Sequence, residues 1–121
     1  MNNMATINLT KSDFLRKIAD YENNPNEWKF LGQRPAVIDF YASWCGPCRV
    51  LLPILGELSE TYAGKVDIYK VDIDQEDELA TLFNIQSVPT MYFFPMQGLP
   101  IKAVGVKPKE ELKQRLDDLL K

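Results

Sequence analysis

Two cysteines separated by two residues, Cys45-Gly46-Pro47-Cys48, are the side chains of this sequence best suited to chemistry. They follow a short apolar run rich in strand formers, Ala36 to Tyr41, and precede a helical pattern of Val50, Leu51, Ile54, Leu55 and Leu58. With Cys45 at the start of that helix, unpaired backbone N–H groups and the helix dipole stabilise its thiolate, the nucleophilic form. Cys48, three residues on, shares a helix face with Cys45, lies within disulfide reach and is the natural resolving thiol. Gly46 lets a partner backbone approach, and Pro47 suits a first helical turn while stiffening the loop. The spacing supports a reversible Cys45–Cys48 dithiol/disulfide couple.

Other uses of a cysteine pair fit less well. A structural zinc site needs four ligands, and this chain has two cysteines and no histidine, so no metal site is expected unless two chains share an ion. Haem attachment requires histidine after the second cysteine, where Arg49 stands. A purely structural disulfide would close a four-residue loop, worth roughly 2 kcal/mol in chain entropy. Two inert buried cysteines remain the plainest alternative. The chain has no glycine-rich nucleotide fingerprint, so no bound cofactor is expected.

With no histidine available as a base, Asp39 stands out, because aspartate is disfavoured inside an apolar strand. A carboxyl buried there has its pKa raised by desolvation and can trade a proton near neutrality. Cys48, further from the helix end than Cys45, is expected to be the more buried thiol and the harder to ionise.

The elements that must hold these residues can be read along the chain. Ala5 to Leu9 is a strand candidate. Thr10-Lys-Ser-Asp13 resembles a cap, with Phe14, Leu15, Ile18 and Tyr21 at helical spacing behind it. Asn23 to Arg34 is rich in turn formers and predicts a loop. Val66 to Ile73 predicts a strand and Glu76 to Phe83 a short helix, acidic in its first turn. Thr90 to Phe94 and Pro100 to Val104 predict a hairpin about Met96-Gln97-Gly98. Pro108, Glu110 and Glu111 open a last amphipathic helix carrying Leu112, Leu116, Leu119 and Leu120. Pro53 lies inside the helix after the cysteines and is expected to kink it. This order predicts an α/β fold, a central mixed sheet flanked by helices on both faces, in a single domain over residues 1–121.

Composition limits the partners. Fourteen Lys+Arg against seventeen Asp+Glu give a net charge of −3, which argues against a nucleic-acid or anionic-membrane binder. Leu79 to Ile101 carries no charge, but prolines 89, 95 and 100 make a spanning helix implausible. Met1 to Ala5 has neither the basic start nor the apolar run of a secretory signal, so a cytoplasmic protein is expected.

The segment Asp39-Phe-Tyr-Ala-Ser-Trp-Cys-Gly-Pro-Cys-Arg49 closely resembles the active-site strand and loop of the thioredoxin family, of the bacterial type with a WCGPC motif. The resemblance extends through Pro53, Lys70-Val-Asp-Ile-Asp74, Ser87-Val-Pro-Thr90, Gly98 and Val104-Gly105. It departs in Tyr41, Ser43 and Arg49, and in residues 24–34, which lengthen the link between the first helix and the central strand. That loop reads as peripheral, or as a partner-specific surface, with Trp28 as a local anchor.

The resemblance implies a thioredoxin fold and a protein-disulfide reductase: Cys45 as nucleophile, Cys48 as resolving thiol, Asp39 as the internal base behind Cys48. Trp44, Gly46 and Pro47 belong to the active-site loop. Lys70 either pairs with Asp39 or is a solvated strand-end lysine. It further implies a cis peptide before Pro89, whose loop faces the cysteines and pairs with substrate like an added strand. Trp44, Val88, Pro89 and Gly105 would line the substrate-docking patch, although a core role competes for Trp44. The partners implied are disulfide-containing proteins and a separate thioredoxin reductase, served by a monomer.

Overall fold

The computed structural model describes residues 5–121. Apart from Ala5, the stretch read above for a secretory signal lies outside them. In chain order the elements are β1 (Ile7–Asn8), α1 (Lys11–Lys17), β2 (Ala36–Tyr41), α2 (Gly46–Thr61), β3 (Asp67–Asp72), α3 (Asp77–Leu82), β4 (Thr90–Phe94), β5 (Ile101–Val104) and α4 (Lys109–Leu119). The predicted order of strands and helices is the observed one.

The five strands form one mixed sheet in the order β1-β3-β2-β4-β5. β2 lies at its centre, parallel to β3 and antiparallel to β4, with Ile38 opposite Tyr69 on one side and Tyr92 on the other. Side chains alternate across the sheet, so each face has its own core. Val37, Ile68, Met91, Phe93 and Ala103 pack beneath α2 and α4, on Leu51, Leu55, Leu58, Leu112 and Leu116. Ile38, Phe40, Tyr69, Val71 and Phe94 face the other way, onto Phe14 and Ile18 near α1 and Leu79 of α3. A strand buried on both faces needs a continuous apolar run, which is why Ala36 to Tyr41 reads so clearly.

Local differences from the expected elements have local causes. β1 is shorter than Ala5 to Leu9 because it is an edge strand, paired only with β3. α1 stops at Lys17 rather than running on to Tyr21. Asp20 takes both the backbone N–H and the Nδ2 of Asn23, a local turn that competes with continuing the helix. α2 is one helix from Gly46 to Thr61 with Pro53 inside it. Pro53 has no N–H to give the Arg49 carbonyl, the partner it would have in an unbroken helix.

Residues 23–35 form neither helix nor strand. The loop is nevertheless anchored: the Trp28 and Phe30 rings lie 5.8 and 6.0 Å from that of Phe94, and Leu31 donates its N–H to the Ile18 carbonyl at 2.9 Å. Among the described residues no helix is long and apolar enough to cross a membrane.

Candidate active site around Cys45 and Cys48

β2 delivers Asp39 and Tyr41 to one face of the sheet, and the chain then turns through Ala42 to Trp44 into α2. Cys45 is the N-cap of that sixteen-residue helix, in extended backbone, with Gly46 and Pro47 as its first two residues. Its Sγ accepts the backbone N–H of Cys48 at 3.1 Å, satisfying one of the donors left over at a helix start. Cys45 and Cys48 are joined in a disulfide with their Cα atoms 5.3 Å apart. The spacing argument thus holds: one helical turn brings the two sulfurs together.

The expected difference in burial between the thiols is not seen in this oxidised form. Cys45 is 4% exposed and Cys48 3%, and together with Ala42 they form a buried cluster against which Tyr41, Ile73 and Val88 pack. Their surroundings distinguish them instead. Cys45 caps the helix and its Sγ lies 3.6 Å from the Val88 carbonyl oxygen, whereas Cys48 sits inside the first turn.

The Val88–Pro89 peptide is cis, as the resemblance implied. Pro89 is buried, and its carbonyl accepts the N–H of Gly105 at 2.9 Å, which fastens the loop after β5 to the loop before β4. Gly105 has φ +89°, a conformation open to glycine and costly for other residues. Val88, Pro89 and Gly105 therefore belong to one rim, with Val88 packed on the cysteines. Trp44 is 64% exposed, so the competing core role falls away. Its indole Nε1 donates to Asp74 Oδ2 at 2.9 Å.

Asp39 is fully buried, and neither carboxylate oxygen has a hydrogen-bond partner. Desolvation pushes its pKa up to about 7, against a smaller downward pull from the Lys70 ammonium. Lys70 lies opposite Asp39 in the β2–β3 register, and parallel partners project to the same face. They form no ion pair, so Lys70 acts on Asp39 through its field alone.

Sequence reasoning singles out neither Asp74, which enters only within the Lys70–Asp74 stretch of the resemblance, nor Arg49, which counts only as a departure from it. Arg49 donates Nη2 to the Ser43 carbonyl at 2.8 Å. No signal short of the three-dimensional contacts identifies either bond. Among the described residues no group of three or more His, Cys, Asp or Glu could hold a metal ion. Cavities of about 460 and 500 Å3 lie elsewhere, and neither is lined by a cysteine.

This arrangement suits thiol–disulfide exchange: a sulfur at a helix start, a second sulfur one turn away, and a buried protonatable carboxyl on the strand that leads into the cysteine loop. Comparison with known proteins agrees. The Thioredoxin family model matches residues 5–118. The chain is 45% identical over 112 residues to the thioredoxin of Borreliella burgdorferi, covering 93% of this chain and 95% of that one. It is 38% identical over 117 residues to the thioredoxin of Alicyclobacillus acidocaldarius, covering 96% and 99%. Among solved structures, chloroplastic thioredoxin z superposes with a TM-score of 0.79 at 22% identity, over 96% of this chain and 95% of that one, a likeness of fold.

Proposed function

The chain belongs to the thioredoxin family and is a protein-disulfide reductase, and from that premise we propose how its residues divide the work. The described residues, 5–121, form one thioredoxin domain with a lengthened loop at 24–34. In the reduced protein the Cys45 thiolate attacks one sulfur of a substrate disulfide. That S–S bond breaks, a Cys45–substrate mixed disulfide forms, and the departing substrate thiolate takes a proton from water. Cys48 gives its proton to the Asp39 carboxylate and attacks the Cys45 sulfur. The intermolecular bond breaks, the second substrate sulfur leaves as a thiolate and takes a proton from water, and the Cys45–Cys48 disulfide closes. Two electrons have passed to the substrate, and a separate thioredoxin reductase returns them.

Trp44, Val88, Pro89 and Gly105 supply the docking rim, with the backbone beside Pro89 taking the substrate as an added strand. Gly46 and Pro47 keep the approach to Cys45 open and stiff, and Lys70 tempers the burial of Asp39. The chain works as a monomer on protein substrates, binds neither nucleic acid nor membrane, and serves electron transport and redox homeostasis in the cytoplasm.

The single observation that carries this reading is the placement of Cys45: N-cap of α2, bonded to Cys48, its sulfur against the loop of Pro89. The reduction potential tests it. Equilibration with a glutathione buffer should give a reducing couple near the value of thioredoxins as a class, about −270 mV, which is a property of the class and not calculated from this chain. A potential near about −120 mV, that of a strong disulfide oxidant, would reverse the direction of the reaction.

A further inference from the structure

We propose that Arg49 and Asp74 are positioning residues that clamp Ser43–Trp44 from two sides, and that this clamp serves the docking of protein disulfides rather than the sulfur chemistry. The proposal rests on the reading of Cys45 as the attacking thiol and of Trp44 as part of its docking rim.

Ser43 and Trp44 lie between the end of β2 and the start of α2, outside either element. Trp44 is among the most exposed large apolar side chains of the molecule. Left untethered, its indole would sample several rotamers, and a docking substrate would have to immobilise it. One charge-assisted hydrogen bond holds the indole against that, and a second holds the backbone just before it. Asp74 Oδ2 accepts the indole N–H at 2.9 Å, and the backbone N–H of Asp74 is itself held by Asp72 Oδ1 at 2.9 Å. Since Asp72 closes β3, the indole is tied to the sheet. From the other side Arg49, on the first turns of α2, holds the Ser43 carbonyl at 2.8 Å. The carbonyl of Ser43 and the side chain of Trp44 are thus fixed to different elements.

Neither charge is engaged elsewhere, since no ion pair among the described residues includes Arg49 or Asp74. Among the described residues, neither is hydrogen-bonded to a cysteine sulfur. A guanidinium and a carboxylate that flank the redox loop without touching its chemistry are placed to pre-order the surface that a large substrate meets. A small disulfide reaches Cys45 without covering Trp44 and gains little from the clamp.

The test compares the wild-type chain with Asp74→Ala, Asp74→Asn, Arg49→Ala and Arg49→Lys, on insulin and on 2-hydroxyethyl disulfide. Both alanine variants should lower kcat/KM for insulin about threefold to tenfold, chiefly through KM, the penalty expected for one side chain left to be ordered at binding. The ratio of the insulin rate to the small-disulfide rate should fall by a similar factor. Asp74→Asn and Arg49→Lys should restore most of it, since an amide oxygen still accepts the indole N–H and an ammonium still reaches a carbonyl. In a Trp28→Phe background, Trp44 fluorescence anisotropy should fall in Asp74→Ala. Equal slowing on both disulfides, an unchanged ratio, or Asp74→Asn as impaired as Asp74→Ala would overturn the proposal. Wild-type turnover of the small disulfide reports separately on the underlying reading, which fails if that turnover is absent.

Discussion

Asp39 and Lys70 sit opposite one another on β2 and β3, yet no hydrogen bond reaches either oxygen of the Asp39 carboxyl. The carboxyl is held neutral by burial to about pH 7, while in the unfolded chain it ionises near its ordinary value of 3.8. Between those values the folded state binds the extra proton, so stability falls as pH rises through the window and stays reduced above it. A shift of this size is worth on the order of 4 kcal/mol. Asp39→Asn should therefore gain stability relative to wild type between pH 4 and pH 8, by on the order of 2 to 4 kcal/mol. Urea denaturation of the oxidised protein at both pH values measures it. A stability difference that ignores pH would show that Asp39 does not titrate in this window.

The same carboxyl sets a kinetic expectation. With no histidine in the chain, the proposed resolving step has Asp39 receive the proton of Cys48. Asp39→Asn should slow turnover near pH 7 and recover towards wild type by pH 9, where hydroxide ionises Cys48 directly. Single-turnover reduction from pH 6 to 9 decides this, and two parallel profiles would make Asp39 structural only.

Gly105 should tolerate no side chain without cost. A Cβ there meets nothing within 4 Å, so the penalty is conformational rather than steric crowding: φ is +89°. Gly105→Ala should lose about 1 to 2 kcal/mol of stability. It should also weaken insulin reduction more than 2-hydroxyethyl disulfide reduction, because Gly105 holds the loop of Pro89. Unchanged stability would mean that the segment relaxes without cost.

The features most legible in the sequence were those written in local pattern. β2 was read to its exact ends because both its faces are buried, and the N-cap geometry of Cys45 follows from a strand, a CGPC loop and a helical period. The two thiols' similar burial was not legible, because it is set by the disulfide packing against Val88 and Ile73 from distant segments. The bonds of Asp74 to Trp44 and of Arg49 to Ser43 were equally hidden: each joins exposed residues of ordinary type, and the first spans thirty positions. The cis peptide before Pro89 came from family resemblance alone, since proline in general favours trans.

Trp28 tests the reading of the lengthened loop as an anchored cover. Its indole is part-buried beside Phe94, so Trp28→Ala should cost about 2 kcal/mol, roughly half the usual loss for a fully buried aromatic. Reduction of 2-hydroxyethyl disulfide at 25 °C should stay within about twofold of wild type, because the loop contacts neither cysteine. Thermal denaturation beside that assay checks both halves, and a large loss of rate with unchanged stability would assign the loop to the reaction.

The inequality of the two cysteines is the centre of this account, and covalent trapping measures it most directly. Reduced Cys48→Ser, mixed with insulin, should accumulate a mixed disulfide that mass spectrometry places on Cys45, because the attacking thiol remains and the resolving one is gone. Reduced Cys45→Ser should form no such complex and reduce no insulin. A complex trapped through Cys48 in the Cys45→Ser protein, with none in Cys48→Ser, would contradict the assignment of Cys45 as the attacking thiol.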